Sequence, residues 1–319
     1  MEIFQTLFHQ EWHHLHDPHV RALAWMLTSP SLLERSSPLW KQQTASLQLP
    51  DDAKLRAWLT ALDQNPSGLL ETLALHRQRR LGHYAENLLS FYLRYEGTLY
   101  AHGLQVHEAG ASTIGEFDFL LRQPDGLHHL ELATKFYLFE GGGDAAHQAD
   151  LFDYLGPNLA DTLGAKMDKI FRQQLALSQH RAAQELLPEK LVSAKALIKG
   201  WLFYRASALT REVVAGIAEP HCRGYWWTLS DIRDQEFDYS LILPRLQWLA
   251  PAQAAPADVL ARAQSLDALG MHFQRDSSPV MLAIMRNKGE LMQECYRGMV
   301  VPDDWLSLAR ESRKRLRSG

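Results

Sequence analysis

The spacing of apolar residues changes period after residue 97, and this change constrains the possible folds more than any other feature. Residues 79–95 carry apolar side chains three and four positions apart, which predicts an amphipathic helix ending at Gly97. Residues 115–122 and 128–138 instead alternate apolar and polar side chains, which predicts two strands. The sequence QPDG between them is typical of a hairpin turn. We therefore expect an α/β protein.

Start and stop signals for further elements flank this region. They are, in chain order, helix starts at Asp17-Pro18 and Asp51, helix ends at Ser29-Pro30 and Asn65-Pro66, a helix over 158–179, a strand over 196–204, and strand-like runs GYWWTL, SLILPRLQWL and PVMLAIM. The order divides the chain into an N-terminal helical segment (1–76), a central α/β core (77–205), and a C-terminal α+β extension packed on that core (206–319).

Composition excludes several classes of protein. Of 319 residues, 46% are hydrophobic and 22% are charged, which excludes a disordered chain, and the two cysteines exclude a disulfide scaffold and a four-thiolate zinc site. The first residues show no basic stretch leading into an apolar run, so we expect no secretory signal. No apolar run approaches the roughly 18 residues of a membrane span. A cytoplasmic protein is the expectation.

The net charge of −4 conceals two segments of opposite sign. Residues 116–161 contain nine acidic and two basic residues, whereas 166–205 contain eight basic and three acidic residues. Such a pair of segments is typical of a metal site beside a phosphate-binding face, and equally of two unrelated solvated surfaces.

The hairpin carries the residues with the clearest chemical potential. If Asp125-Gly126 is the two-residue turn, Asp118 pairs with Ala133 and lies diagonal to Glu131 and Lys135, at about 7–8 Å between Cα atoms. The opposite face would then be apolar, with these directly opposed pairs: Phe117 with Thr134, Phe119 with Leu132, and Leu121 with Leu130. A one-residue slip would separate the acids onto different faces, so the prediction depends on register.

Two carboxylates and an ammonium on one sheet face can bind a divalent cation beside a phosphate. Mg²⁺ prefers carboxylate oxygens and completes its shell with waters and phosphate oxygens. The metal lowers the pKa of a bound water, and lysine can orient that water or stabilise the phosphate. The alternative is a solvated face on which Glu116 and Lys135 form an ordinary cross-strand ion pair.

The element order resembles the core of the PD-(D/E)XK, or restriction-endonuclease-like, superfamily: αβββαβ, here followed over about residues 78–205. The stretches LGHYAENLLSFYL, GEFDFLL, HLELATKFYL, KGWLFY and VVPDDW also resemble a bacterial family, domain of unknown function 1853, over most of the chain. The resemblance implies that Asp118, Glu131 and Glu86 hold Mg²⁺ or Mn²⁺ and that Lys135 is the motif lysine. The superfamily places that lysine two residues after the acid, where this chain has Ala133.

Other candidates are weaker. The same resemblance makes Lys166 and Gln173, on the second core helix, candidates for nucleic-acid contacts, although a solvated basic helix face explains them equally. The histidines at 9, 13, 14, 16 and 19 lack the spacing of a zinc-protease site. The basic stretch RESRKRLR near the C-terminus is typical of a solvated helix end.

These observations favour a Mg²⁺-dependent nuclease or related phosphodiesterase. The leading alternative is a catalytically inactive relative that binds nucleic acid or a protein partner, because Ala133 replaces the usual lysine. A third possibility is a structural protein that binds no metal.

Overall fold

The computed structural model of the protein describes residues 4–75, 80–108, 113–141, 148–206 and 213–318. Its helices are α1 (Phe4–Trp12), α2 (Pro18–Thr28), α3 (Asp52–Gln64), α4 (Ser67–Leu75), α5 (Leu81–Tyr95), α6 (Leu163–Lys169), α7 (Arg181–Leu186), α8 (Leu229–Arg233), α9 (Arg262–Phe273) and α10 (Trp305–Ser318). Its strands are β1 (Leu99–His107), β2 (Thr113–Gln123), β3 (Gly126–Phe139), β4 (Tyr154–Leu155), β5 (Ser193–Arg205), β6 (Cys222–Thr228), β7 (Tyr239–Ile242), β8 (Gln253–Ala254), β9 (Leu260–Ala261), β10 (Val280–Lys288) and β11 (Leu291–Val301). The expected boundary between residues 76 and 77 lies outside the described residues.

One large mixed sheet organises the fold. Its strands run in the order β1-β2-β3-β5-β6-β11-β10-β7-β9, with β4 beside β3 and β8 beside β11. Strands β1 to β3 are antiparallel neighbours, while β5 pairs in parallel with β3 and with β6. The prediction of an α/β protein is confirmed. In the part of the chain that is described, no helix combines the length and the apolar character needed to cross a membrane.

The helix caps follow the sequence signals closely. The Asp17 carboxylate accepts bonds from the first backbone N–H groups of α2, and Asp51 does the same for α3. The predicted helix over 158–179 is shorter, because α6 begins at Leu163 and continues as a π-helical turn over Ile170–Gln174. The run SLILPRLQWL is a strand only in its first part, since Pro244, which has no N–H group, precedes a short 3-10 turn.

The sheet is covered on both faces, and β3 contributes to both cores. Leu132 packs in a cluster with side chains from α5 and β5, such as Leu88 and Trp201. Its neighbour Ala133 packs in a second cluster with Met167 of α6. This alternation places α5 and α6 on opposite sides of β3. Each large apolar side chain buried there contributes roughly 1.5–3 kcal/mol.

The predicted hairpin register is wrong by two residues. Phe119 pairs with Leu130 and Gln123 pairs with Gly126, so the turn is Pro124-Asp125. Gly126 is the first residue of β3 at φ +132°, a backbone conformation that glycine adopts readily and other residues rarely do. Because side chains alternate with a period of two, a two-residue shift does not by itself move a side chain to the other face.

The predicted apolar face of the hairpin is also only partly right. Phe119 packs in the cluster that contains Leu132, whereas Phe117 packs with Leu120 in a separate cluster near α7. The alternation breaks beside Gly103, which has a φ of +66°. The irregularity lies next to Asp118, the central residue of the candidate site.

The basic C-terminal helix is paired with acids rather than freely solvated, contrary to the expectation. Arg313 of α10 lies 2.9 Å from carboxylate oxygens of both Glu140 and Asp153. Arg317 lies 2.7 Å from Asp150 and 3.0 Å from Asp153. These arginines therefore anchor α10 to the segment that follows β3.

A buried ion pair ties β11 to the loop over residues 248–251. Arg297 and Glu294 are both fully buried and lie 2.7 Å apart. Arg297 also donates to the carbonyls of Trp248 and Ala250, and its guanidinium lies 4.2 Å from the Trp201 ring centroid. From α2, Arg21 donates to Pro251 O of the same loop at 2.9 Å.

We expect the Arg297→Met variant to lose about 3–5 kcal/mol of unfolding free energy, because it leaves Glu294 buried and uncompensated. The double variant Arg297→Met/Glu294→Gln should lose less unfolding free energy than the sum of the losses in the two single variants. Urea denaturation measures these losses. The exposed pair Arg181–Glu185, 2.8 Å apart, is the control and should show no measurable coupling. Additive losses at Arg297 and Glu294 would contradict the prediction.

Candidate functional site

Asp118 lies where the β2–β3 ladder ends. The last regular pair is Phe119 with Leu130, and beyond it the Leu132 N–H donates to Asp118 Oδ2 at 2.9 Å. The carboxylate thus takes the place of a backbone carbonyl in the hydrogen bonding of the two strands. On the corrected register Asp118 is directly opposite Glu131 instead of diagonal to it.

Glu131 is buried on β3, directly opposite Asp118 on the corrected register, and its charge raises the pKa of Asp118. The Gln174 side-chain amide donates to Glu131 Oε1. Gln174 ends the π-helical turn, in which Leu175 N–H bonds to Ile170 O at 3.0 Å. Such turns are frequent at functional sites.

The sequence prediction named the neighbouring glutamine. Gln173 is exposed, and the described contacts of the site involve Gln174 instead. In a regular helix Gln173 would follow Lys166 and Lys169 at three- and four-residue spacing. The π-helical turn adds a residue and brings Gln174 to Glu131, a shift that the sequence does not signal.

Burial raises the pKa of both carboxyls. For Asp118 the main cause is desolvation, and the negative charge of Glu131 adds to it. For Glu131 desolvation also dominates, and it is opposed by the neighbouring Asp118, by the positive charge of Lys166 and by the hydrogen bond from Gln174. Two such neighbouring carboxyls retain a proton at a pH where isolated ones would be fully ionised.

Lys135 lies on the same face of β3, four residues after Glu131. Burial lowers its pKa to about 8, the positive charge of Lys166 adds to this, and Asp161, Glu86 and Asp118 oppose it. Across from it, Gly200 of β5 has a φ of +144°, and a Cβ there would lie 1.7 Å from the Lys135 carbonyl oxygen. Only glycine permits this close approach of β5 to the backbone that carries Lys135.

Glu86 acts on the site through the charge of its carboxylate. Its carboxylate raises the pKa of both Asp118 and Glu131, and it pairs with His83 Nδ1 at 3.0 Å. Glu86 belongs to α5, on the opposite side of the sheet from α6. The structure therefore groups Glu86, Asp118, Glu131, Lys135 and Lys166 electrostatically and leaves Gln173 outside the group.

The donor chemistry fits Mg²⁺ with a partial protein shell. Among the described residues, no three His, Cys, Asp or Glu side chains form a complete ligand group. Asp118 and Glu131 do offer two adjoining carboxylates, and Gln174 Oε1 is buried without a hydrogen-bond partner. Mg²⁺ is commonly held by one or two carboxylates, with waters and substrate phosphates completing its shell.

The N-terminal histidines have structural contacts away from these carboxylates. Burial lowers the pKa of His9 to about 3, and its Nδ1 lies 3.5 Å from the Arg21 guanidinium. His19 Nδ1 lies 2.8 Å from the Tyr84 hydroxyl. These contacts join α1 to α2 and α2 to α5.

Comparison with known proteins finds one family. A family model described as "Domain of unknown function (DUF1853)" matches residues 21–301, most of the chain. No curated protein and no solved structure matches significantly.

Without a divalent cation, we expect the stability contributed by Asp118 and Glu131 to fall as the pH rises from about 4 toward neutrality. At these two groups the folded state binds more protons than the unfolded chain, whose carboxyls have pKa values of about 4, because burial raises the pKa of Asp118 and Glu131. The Asp118→Asn variant, which keeps an acceptor for the Leu132 N–H, should reduce this slope and be more stable than the wild type at neutral pH. Urea denaturation in the presence of a chelator, at several pH values, measures the unfolding free energy and its slope with pH.

The matched control is Glu116→Gln on the same strand. Glu116 accepts a hydrogen bond from Gln105 at 3.3 Å near the surface, and its replacement should leave the pH dependence unchanged. Parallel stability curves for Asp118→Asn and the wild type would contradict the interpretation.

Proposed function

We propose that this chain, which belongs to the DUF1853 family, is a Mg²⁺-dependent phosphodiesterase that cleaves nucleic acid. The observation that carries the proposal is the hydrogen bond by which the Leu132 N–H holds the half-buried Asp118 carboxylate against β3, opposite the buried Glu131. Lys135 lies on the same face of β3 as Glu131. Holding two acids together in a buried place costs stability, and a bound divalent cation would offset that cost. Such an arrangement is typical of catalytic centres.

In this proposal Asp118 and Glu131 would hold the cation. The metal supplies an activated water and neutralises charge on the attacked phosphate. Lys135, with a pKa of about 8, is partly unprotonated near neutral pH and can accept a proton from the attacking water. Lys166, whose positive charge also lowers the pKa of Lys135, would attract the phosphate. The water oxygen would bond to phosphorus as the bond to the leaving sugar oxygen breaks, and that sugar oxygen would take a proton from solvent.

The order of elements supports the same proposal. A helix (α5), three antiparallel strands (β1 to β3), a second helix (α6) and a parallel strand (β5) follow one another, with the short β4 before α6. This order is that of the restriction-endonuclease-like core that the sequence resembles. The lysine four residues after Glu131 stays on the same strand face, since two periods of alternation separate them.

A catalytically inactive, nucleic-acid-binding module is the second candidate. Ala133, at the position of the usual lysine, is 4% exposed and packs in the core beneath α6. If Lys135 does not replace that lysine, the site would bind without turnover. Binding that weakens steeply with salt, without cleavage under any divalent metal, would favour this candidate.

We expect calorimetry to detect binding of Mn²⁺ and Mg²⁺ to the wild type and its loss in Asp118→Asn and Glu131→Gln. The reason is that each variant removes one of the two carboxylate ligands. Glu116→Gln is the control and should bind like the wild type. Equal metal binding by Asp118→Asn and the wild type would reject the assignment.

For cleavage, we expect Asp118→Asn to reduce DNA and RNA hydrolysis to background and Lys135→Met to lower kcat by about 10²–10⁴-fold. The matched control is Lys169→Met, an exposed lysine at the end of α6. Gel assays with single- and double-stranded substrates in Mg²⁺ or Mn²⁺ provide the measurement. Unchanged activity in both Asp118→Asn and Lys135→Met would overturn the proposal.

A further inference from the structure

His129 is a buried titratable residue with no part in the mechanism above. It lies on β3 two residues before Glu131, so the two side chains share a face. The residue is 1% exposed, and the Phe117 ring contacts it at 4.9 Å between centroids with an interplanar angle of 88°. Neither ring nitrogen of His129 has a hydrogen-bond partner among the described residues.

The nearest candidate partner is also unsatisfied. Glu131 Oε2 is buried without a hydrogen bond, and it lies 3.4 Å from His129 Nε2. An unpaired buried donor or acceptor costs roughly 1–3 kcal/mol, so two such atoms side by side need an explanation.

Whether they can pair depends on which ring nitrogen of His129 carries a proton. A proton on Nε2 faces Glu131 Oε2 and gives both atoms a partner, whereas a proton on Nδ1 leaves both unpaired. Closing the gap from 3.4 Å to an ordinary hydrogen bond takes a movement of only about 0.5 Å.

We propose that His129 is a positioning residue whose Nε2–H donates to Glu131 Oε2. Together with the Gln174 amide on Oε1, it fixes the plane in which the carboxylate is presented beside Asp118. The effect of this hydrogen bond on metal binding rests on the proposed function, because the orientation of Glu131 affects metal binding only if Glu131 holds a cation. Groups that orient a metal-binding side chain typically change metal affinity or activity by 10–100-fold.

Two substitutions at His129 separate the donor from the shape of the ring. His129→Phe keeps an aromatic ring against Phe117 and removes the donor, while His129→Gln keeps an N–H. The control is His128→Gln, one residue earlier on the opposite face, where the ring bonds to Ser193 Oγ at 2.9 Å.

We expect His129→Phe to weaken Mn²⁺ binding 10–100-fold in calorimetry and to lower kcat with little change in KM for nucleic acid. His129→Gln should recover most of the Mn²⁺ affinity and most of kcat, and His128→Gln should behave like the wild type. The thermal midpoints of the three variants and the wild type should be similar. A His129→Phe variant with wild-type metal affinity and kcat would overturn the proposal. So would a His129→Gln variant as impaired as His129→Phe.

A measurement without metal tests the contact itself. Nitrogen-15 NMR of the metal-free wild type should show the His129 proton on Nε2, in slow exchange with water and shifted by Glu131→Gln. A proton on Nδ1, or one in fast exchange, would overturn the contact. If the wild type shows the expected signal but neither binds Mn²⁺ nor cleaves nucleic acid, the proposed function fails while the hydrogen bond stands.

Discussion

The hydrogen bond from the Leu132 N–H to the Asp118 carboxylate organises the candidate site. It forms where the regular pairing of β2 and β3 stops, so a side chain continues what the backbone ladder began. The bond holds Asp118 against β3 and thereby against Glu131, although the two carboxyls repel each other and burial disfavours their ionised forms. The surrounding fold must supply the stability that this arrangement costs, and the two cores that cover the sheet provide it.

The same strand joins the site to the rest of the molecule. Alternate residues of β3 belong to the cores beneath α5 and α6, and its backbone meets β5 at the close approach permitted by Gly200. Lys135 is therefore placed by a rigid, central strand. Rigid placement favours precise orientation of reacting groups, which is the property that a proposed metal-dependent hydrolysis requires.

Much of the architecture could be predicted from the sequence because its signals are local. Asp17 and Asp51 begin helices through hydrogen bonds within one turn, and the alternation of β2 and β3 reflects burial of one side chain in two. The strand faces of Asp118 and Glu131 were predicted correctly even though the register was wrong by two residues, since faces depend only on whether the shift is even. Whether Asp125 or Gly126 is the last residue of the turn depends on the φ of Gly126, and a sequence does not specify that angle.

Features that depend on tertiary packing could not be predicted in this way. Phe117 packs in a different cluster from Phe119, and the charges of α10 are neutralised by acids far away in the chain. The contact between Gln174 and Glu131 depends on a single π-helical turn. Periodicity analysis assumes one helical repeat throughout and therefore selects the neighbouring glutamine.

Because of that π-helical turn, the number of residues between Lys166 and Gln174 affects the chemistry of the candidate site. An α-helix advances by about 100° per residue. The extra residue of a π-helical turn therefore rotates the side chains after the turn about the helix axis relative to those before it. Lys166 precedes the turn and acts on Glu131 through its charge, whereas Gln174 ends the turn and bonds to Glu131 through its amide. Loss or gain of one amino acid between them would redirect the amide without altering any side chain in the site, so evolution could retune this centre through an insertion or deletion alone.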